Sequence, residues 1–249
     1  MNGWRVDSVL LGPEARRMFA DLDAVFALEG EAITRDPLSE VLRVSADGKR
    51  YYVKRYKGAG KNILRRWFGR PRVRAEWENL IAFRNWGIAT ATVVGRGLER
   101  HAVAFARGAL ITEEICNTTD LAQLTRDTDP RLRDRRWVAH VSSQIARITR
   151  TLHAHRFAHN DLKWRNLLVD NAPMPTVYLI DCPSGAYWRE PLLGYRIVKD
   201  LACLDKVARR QLSRTQRLRF YLDYVQRPRL TPADRAHITR ILRFFAGRE

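Results

Sequence analysis

The run "SEVLRVSADGKRYYVKRY", residues 39–56, constrains the fold of this chain more than any other stretch. Two alternating segments, 39–45 and 50–56, flank Asp47-Gly48, a pair that closes tight hairpins because both positions tolerate positive φ. Beyond the hairpin, "KGAGKNILRRWFGRPRVR" is basic and broken by glycines, which predicts a loop with a short helical piece. From Arg72 to Trp86 the pattern becomes helical, with Trp77, Leu80, Ile81 and Arg84 on the expected inner face and Gly87 as the stop. Strands are expected at 91–96 and 102–106, and "ALITEEI", 109–115, reads as a buried strand running into a loop.

The rest of the chain changes character. Val138, Val141, Ile145, Ile148 and Leu152 recur at steps of three and four, the signature of an amphipathic helix. Leu167–Val169 and "VYLI", 177–180, predict two short strands around the turn "DNAPMP". From Lys199 onward the chain reads as helical. The last helix has Thr231 as N-cap, Pro232 in its first position and Asp234 in its third, with Ile238, Ile241, Leu242 and Phe245 expected inside. A strand-rich first part and a helical second part, without an internal repeat or low-complexity linker, predict two lobes around a cleft, with the boundary near 116–120.

Bulk properties set outer limits. The chain has 249 residues with 45 Lys and Arg against 27 Asp and Glu, a formal charge of +18. Such an excess seeks polyanions: nucleic acid, an anionic membrane surface or phosphorylated ligands. Cys116, Cys182 and Cys203 are far apart and odd in number, which argues against a disulfide framework or a zinc knuckle and for a reducing compartment. The N-terminal apolar run is too short for a signal peptide, and no stretch is long enough to predict a membrane span.

Chemistry concentrates in "HNDLKWRNLLVD", 159–170. Phosphoryl transfer from ATP needs a carboxylate at the acceptor hydroxyl, hard oxygen ligands for Mg²⁺, and a lysine on the phosphates. Asp161 suits the first task, either as base or as orienting group. Lys163 can reach the transferring phosphoryl group, and Asn166 can offer its amide oxygen to the metal. Asp181, at the end of "VYLI", stands where a second metal ligand belongs. Lys54, on the predicted strand "YYVKRY", is the candidate phosphate lysine. Glu76 on the following helix could hold it by an ion pair, with Glu78 as rival. Each residue alone has a bland reading, a turn carboxylate or a solvated charge. The ordered set is far less easily accidental. His159 is assigned to packing, Cys182 to a buried position beside Asp181, and Trp164 either to loop support or to substrate contact.

In "YYVKRYK", "AEWENLIAFRNWGIAT", "ALITEEI", "HNDLKWRNLL", "LIDCPSG" and "RLRFYLDYV", over roughly residues 40–225, the chain resembles the protein-kinase-like superfamily and, within it, the lipopolysaccharide-core kinases of the Kdo/WaaP family. The resemblance implies an α+β, bilobal protein-kinase-like fold with a strand-rich N-terminal lobe, 1–116, that binds nucleotide, and a reduced helical catalytic lobe, 117–249. It makes "ALITEEI" the hinge, with Glu113 and Ile115 as nucleotide-binding residues. It implies ATP- and Mg²⁺-dependent phosphorylation of a heptose or Kdo hydroxyl of the inner core, at the cytoplasmic side of a Gram-negative inner membrane. No G-x-G-x-x-G precedes Lys54, the metal tripeptide is Asp181-Cys182-Pro183, and Asn160 replaces the usual Arg before Asp161.

Spacing bears on the acceptor separately. Asp200 follows Asp181 by only 19 positions, no A-P-E appears, and 49 residues remain. That leaves little chain with which to hold a peptide, and favours a sugar or small-molecule hydroxyl. Residues 54–74 hold nine Lys/Arg and no acid, and 206–219 hold six. These clusters point to the anionic inner-membrane surface as partner; nucleic acid is not expected, and oligomeric state has no signature. Two alternatives stay open: a kinase for another acceptor (a metabolite, an antibiotic or a protein), and a basic binding module on a degenerate kinase fold.

Overall fold

Alternation along 49–56 decides how the first half is built. The computed structural model describes residues 3–57, 69–101 and 104–247. Its contacts divide the described chain into two units: Met1–Asn85, Thr90–Ile115 and Asp181–Pro183 form one, and Trp86–Ala89, Cys116–Ile180 and Ser184–Glu249 the other.

The first unit contains β1 (Gly3–Val6), α1 (Pro13–Met18), α2 (Leu22–Ala27), β2 (Glu31–Arg35), β3 (Ser39–Ala46), β4 (Lys49–Tyr56), α3 (Arg72–Asn85), β5 (Val93–His101) and β6 (Ala104–Glu113). The strands form one antiparallel sheet in the order β1-β5-β6-β4-β3-β2. The expected hairpin forms with Ala46 opposite Lys49, and Asp47 and Gly48 take φ of 50° and 72°. Tyr51 and Val53 join Phe19, Leu22 and Val25 in a core under α1 and α2. Arg55, on the same face, donates to the carbonyls of Val25 and Leu28. The side chains between them, Lys54 and Tyr56, reach Glu76 of α3.

Asp47 has a second role that the turn signal does not reveal. Its carboxylate accepts from the main-chain N–H of Glu14 at 3.1 Å and of Ala15 at 2.8 Å, and Glu14 accepts from its N–H at 2.8 Å. It thus caps α1, whose own N-cap, Gly12, has no side chain to do so. A Cβ on Gly12 would lie 2.3 Å from Asp47 Cγ.

Two expectations for this unit are corrected. The buried face of α3 is Val73, Ala75, Glu76, Asn79, Leu80 and Phe83, whereas Trp77 and Ile81 are half-buried and Arg84 is exposed. The helix is turned so that two polar residues lie inside, because partners there satisfy them. The strands expected at 102–106 and 109–115 are a single strand, β6. Gly108, between the two expected ranges, sits where a Cβ would come within 2.8 Å of Gly97 O on the adjacent strand, so it permits close approach of the strands. The loop expected at 57–74 falls largely on 58–68, outside the described residues, as do Lys61, Arg65 and Arg66 of the first basic cluster.

The second unit contains β7 (Thr118–Asp120), α4 (Leu121–Arg126), α5 (Arg135–Ala154), β8 (Phe157–Ala158), β9 (Leu167–Asp170), β10 (Val177–Leu179), β11 (Ala186–Tyr187), α6 (Leu192–Gln211), α7 (Arg214–Val225) and α8 (Pro232–Arg243). The five apolar positions predicted for α5 are all buried. A sheet in the order β10-β9-β7 and a small β11-β8 pair frame the loop that follows α5. Ala146, Val198, Leu201, Ala202, Tyr221, Tyr224 and Ile241 form the helical core. Here α6 begins at Leu192, well before the expected Lys199, because burial of Leu193 and Val198 outweighs the poor helix propensity of Gly194. Thr231 and Asp234 form the capping box on α8, but Leu242 is half exposed, not inside.

Candidate active site

In the first unit the chemistry gathers on Lys54. Its Nζ lies 3.0 Å from Glu76 Oε1 and 2.6 Å from Asp181 Oδ1. Burial alone would lower the Lys54 pKa; Glu76 and Asp181 outweigh that, and it is raised. Glu76 is 3% exposed and its pKa is raised, mainly by burial, with Lys54 opposing the shift. The Tyr56 phenol donates to the other Glu76 oxygen and is itself pushed up, by burial first and then by the Glu76 charge. The geometry separates the two candidate acids on α3: Glu78 pairs with Arg70 and Arg74 instead of Lys54.

Asp181 takes φ of 57°, unusual for a residue other than glycine. The segment carrying it is pinned by Asn79, which donates to Cys182 O at 2.7 Å from inside α3. Cys182 is fully buried. Neither Asn79 nor Tyr56 was picked out from sequence. A polar residue three positions from Glu76 was the available clue for Asn79, hidden because the wrong helix face was read as inner. Of the expected hinge residues, Glu113 bridges Lys49 at 3.0 Å and donates its N–H to Thr92 O at 2.9 Å. Ile115 lies just beyond β6.

In the second unit Asp161 is gripped by two cations. Lys163 Nζ is 2.6 Å from one oxygen and Arg165 2.9 Å from the other. Burial would raise the Asp161 pKa, but Lys163 and then Arg165 outweigh it and hold it below its ordinary value of 3.8, so it is anionic at neutral pH. Asn166, buried, donates its Nδ2 to Asp161 O at 2.8 Å, which fixes the amide with its oxygen on the opposite side from that bond. Trp164 is buried and donates to Leu204 O at 3.0 Å; it supports the loop. His159 is fully buried, as a packing residue would be.

The residue that organises this loop was used in the sequence only as a spacing mark. Asp200, fully buried on α6, accepts from the N–H of His159 at 2.7 Å and of Asn160 at 2.8 Å. His153 of α5 lies 3.5 Å away and its other ring nitrogen meets Tyr224 OH at 2.9 Å. Arg165, four positions after Asp161, was likewise missed.

A strand lysine tied to a helix glutamate and a strand-end aspartate, on an α+β frame, defines a protein of the kinase-like fold. The lipopolysaccharide kinase (Kdo/WaaP) family matches residues 22–224, and the chain belongs to that family. It is 28% identical over 144 residues, 56% of its length, to the lipopolysaccharide core heptose(I) kinase WaaP of Pseudomonas aeruginosa, and spans about half (54%) of that relative. A solved structure described as WaaP in complex with acyl carrier protein is similar over 98% of this chain and 94% of its own, with a TM-score of 0.71 and 25% identity.

Replacing Asp200 by Ala would strand two N–H groups, that of His159 buried and that of Asn160 partly so. We expect Asp200→Ala to lower the unfolding free energy by roughly 2–5 kcal/mol, more than Asp200→Asn, which keeps one acceptor oxygen. Denaturant unfolding checks this; a loss for Asp200→Ala under about 1 kcal/mol would contradict the anchoring role.

Proposed function

We propose that the protein is an ATP- and Mg²⁺-dependent kinase that phosphorylates a sugar hydroxyl, a heptose or Kdo, of the lipopolysaccharide inner core. The observation that carries the proposal is the bridge from Lys54 Nζ to Glu76 and Asp181. A lysine held charged by two carboxylates is ready for phosphate oxygens, and Glu76 fixes its reach. The hinge residues Glu113 and Ile115 would meet the nucleotide through their main chain, since the Glu113 carboxylate is taken by Lys49.

The Asp181 carboxylate and the Asn166 amide would each offer a hard oxygen of the kind Mg²⁺ takes. When bound, magnesium neutralises charge on the phosphates. Asp161 orients the acceptor hydroxyl and takes its proton late; with its pKa lowered, it is too weak a base to remove the proton early. Lys163 stabilises the transferring group. Membership in the lipopolysaccharide kinase family, and a relative named as a heptose(I) kinase, favour heptose as acceptor.

Incubated with ATP, magnesium and purified core oligosaccharide, the wild type should phosphorylate the sugar, and Asp161→Ala should lose at least about 100-fold in rate. Turnover only with a protein, an aminoglycoside or a small metabolite would refute the sugar acceptor; no binding of Mg·ATP would refute the enzyme.

A second reading concerns a partner. The helical unit holds a cavity of about 650 Å³ lined by Ile145, Trp164, Leu204, Leu218, Tyr221 and Ile241, with Arg209 and Arg214 also in its walls and Arg217 paired there with Asp205 at 2.7 Å. An apolar chamber with guanidinium groups suits an acyl chain delivered by an anionic carrier, and the similar solved structure is a complex with acyl carrier protein. We propose that this chain takes an acylated carrier protein there. The basic clusters, less Lys54, the buried Arg55 and the cavity's Arg209, Arg214 and Arg217, would separately hold the enzyme at anionic lipid. Among the described residues no helix is long and apolar enough to cross a membrane. Acylated carrier should bind the wild type at least about tenfold more tightly than unacylated carrier, and Leu218→Asp should remove the difference. In the same variant, flotation with anionic vesicles should persist and fade at high salt. Equal affinity for both carrier forms would rule out the cavity, and salt-insensitive flotation would rule out the membrane role.

A further inference from the structure

Asn160 is fixed from several sides, and the side chain that holds its oxygen lies outside the residues assigned so far. Its φ is 65°, in the left-handed region. Its Nδ2 donates to Ser184 O at 2.9 Å and Ala158 O at 3.3 Å, and its Oδ1 accepts from Arg196 Nη1 at 3.3 Å. Arg196 precedes Asp200 by one turn of α6, so one face of that helix takes both the main chain and the side chain of Asn160. The Arg196 guanidinium lies over the Trp188 ring, 4.3 Å from its centroid, and its Nε is buried without a hydrogen-bond partner among the described residues. A guanidinium so confined is not a solvated surface charge.

On the other side of the catalytic loop the restraint is looser. The two cations on Asp161 are long side chains, Lys163 and Arg165, 46% and 58% exposed, and such exposed pairs hold geometry weakly. The direction of Asp161 therefore depends on its main chain, which Asn166 Nδ2 holds at its own carbonyl and Asn160 holds on the side before it. We propose that Arg196 is a positioning residue for phosphoryl transfer, setting Asp161 through Asn160. The inference rests on the reading of Asp161 given above. The bond joins an amide oxygen to an arginine, and neither group awaits phosphorylation. The loop is thus assembled without a modification, in contrast to kinases whose Arg at this position answers to a phosphorylated segment.

The test compares Arg196→Gln, Arg196→Lys, Asn160→Ala and the double variant Asn160→Ala/Arg196→Gln. It reads kcat, KM for ATP, and hydrogen exchange over residues 157–163. Arg196→Gln should lower kcat about 10–100-fold while leaving KM for ATP within about twofold, as expected when a reacting group is misplaced. Arg196→Lys should recover part of the rate, the double variant should be no slower than the slower single variant, and exchange at 157–163 should quicken in Arg196→Gln. Multiplicative loss in the double variant, or unchanged exchange, would overturn the proposal. An inactive wild type whose loop exchange still quickens in Arg196→Gln would sink the kinase reading and leave Arg196 as the loop's anchor.

Discussion

The carboxylate of Asp200 is the point on which the helical unit turns. Burying a charge is costly unless hydrogen bonds replace the lost water. Asp200 meets that cost with the N–H groups of His159 and Asn160 and with His153 nearby. The same bonds restrain the main chain just before Asp161. A helix formed for ordinary reasons of apolar packing, with Val198, Leu201 and Ala202 in the core, thereby becomes the bench on which the loop carrying Asp161 is clamped. Trp164 adds a second clamp through Leu204 O on that helix, and places one wall of the apolar cavity against the loop.

The strand-rich unit reaches a comparable result by different means. Alternation along β4 sends Tyr51, Val53 and Arg55 to one face and Lys54 and Tyr56 to the other. On that second face Lys54 and Glu76 are each unfavourable alone: burial pulls the lysine pKa down and pushes the glutamate up. Together, with Asp181 and the Tyr56 phenol, they form a charged network with satisfied partners. Such a network contributes little to net stability and much to defined geometry. That suits the phosphate-binding role proposed for Lys54, which calls for one charge at one place.

Features encoded by local period and spacing were legible in the sequence. The hairpin around Asp47-Gly48, the buried stripe of α5 and the capping box of α8 each depend on residues within a few positions of one another. Features set by distant partners were not. Asp47 looked like a turn residue, yet it caps a helix more than thirty positions away. The inner face of α3 was misread because Glu76 and Asn79 look like surface residues until Lys54 and Cys182 O are there to meet them. The single strand across Gly108 was not legible either, since the strand that crowds this glycine comes from elsewhere in the chain. At the candidate site the motif residues stood out by order and spacing, whereas Asp200, Arg165 and Arg196 carry no motif and emerge only from what they touch.

The division of labour between Lys54 and Asp161 is the centre of this account, and titration calorimetry with Mg·ATP tests it most directly. Lys54→Met should weaken nucleotide binding by at least about tenfold, about 1.4 kcal/mol. Asp161→Asn should bind Mg·ATP within about twofold of wild type while transferring no phosphate to the core sugar. Unchanged affinity in Lys54→Met, or an equal loss of affinity in both variants, would contradict it.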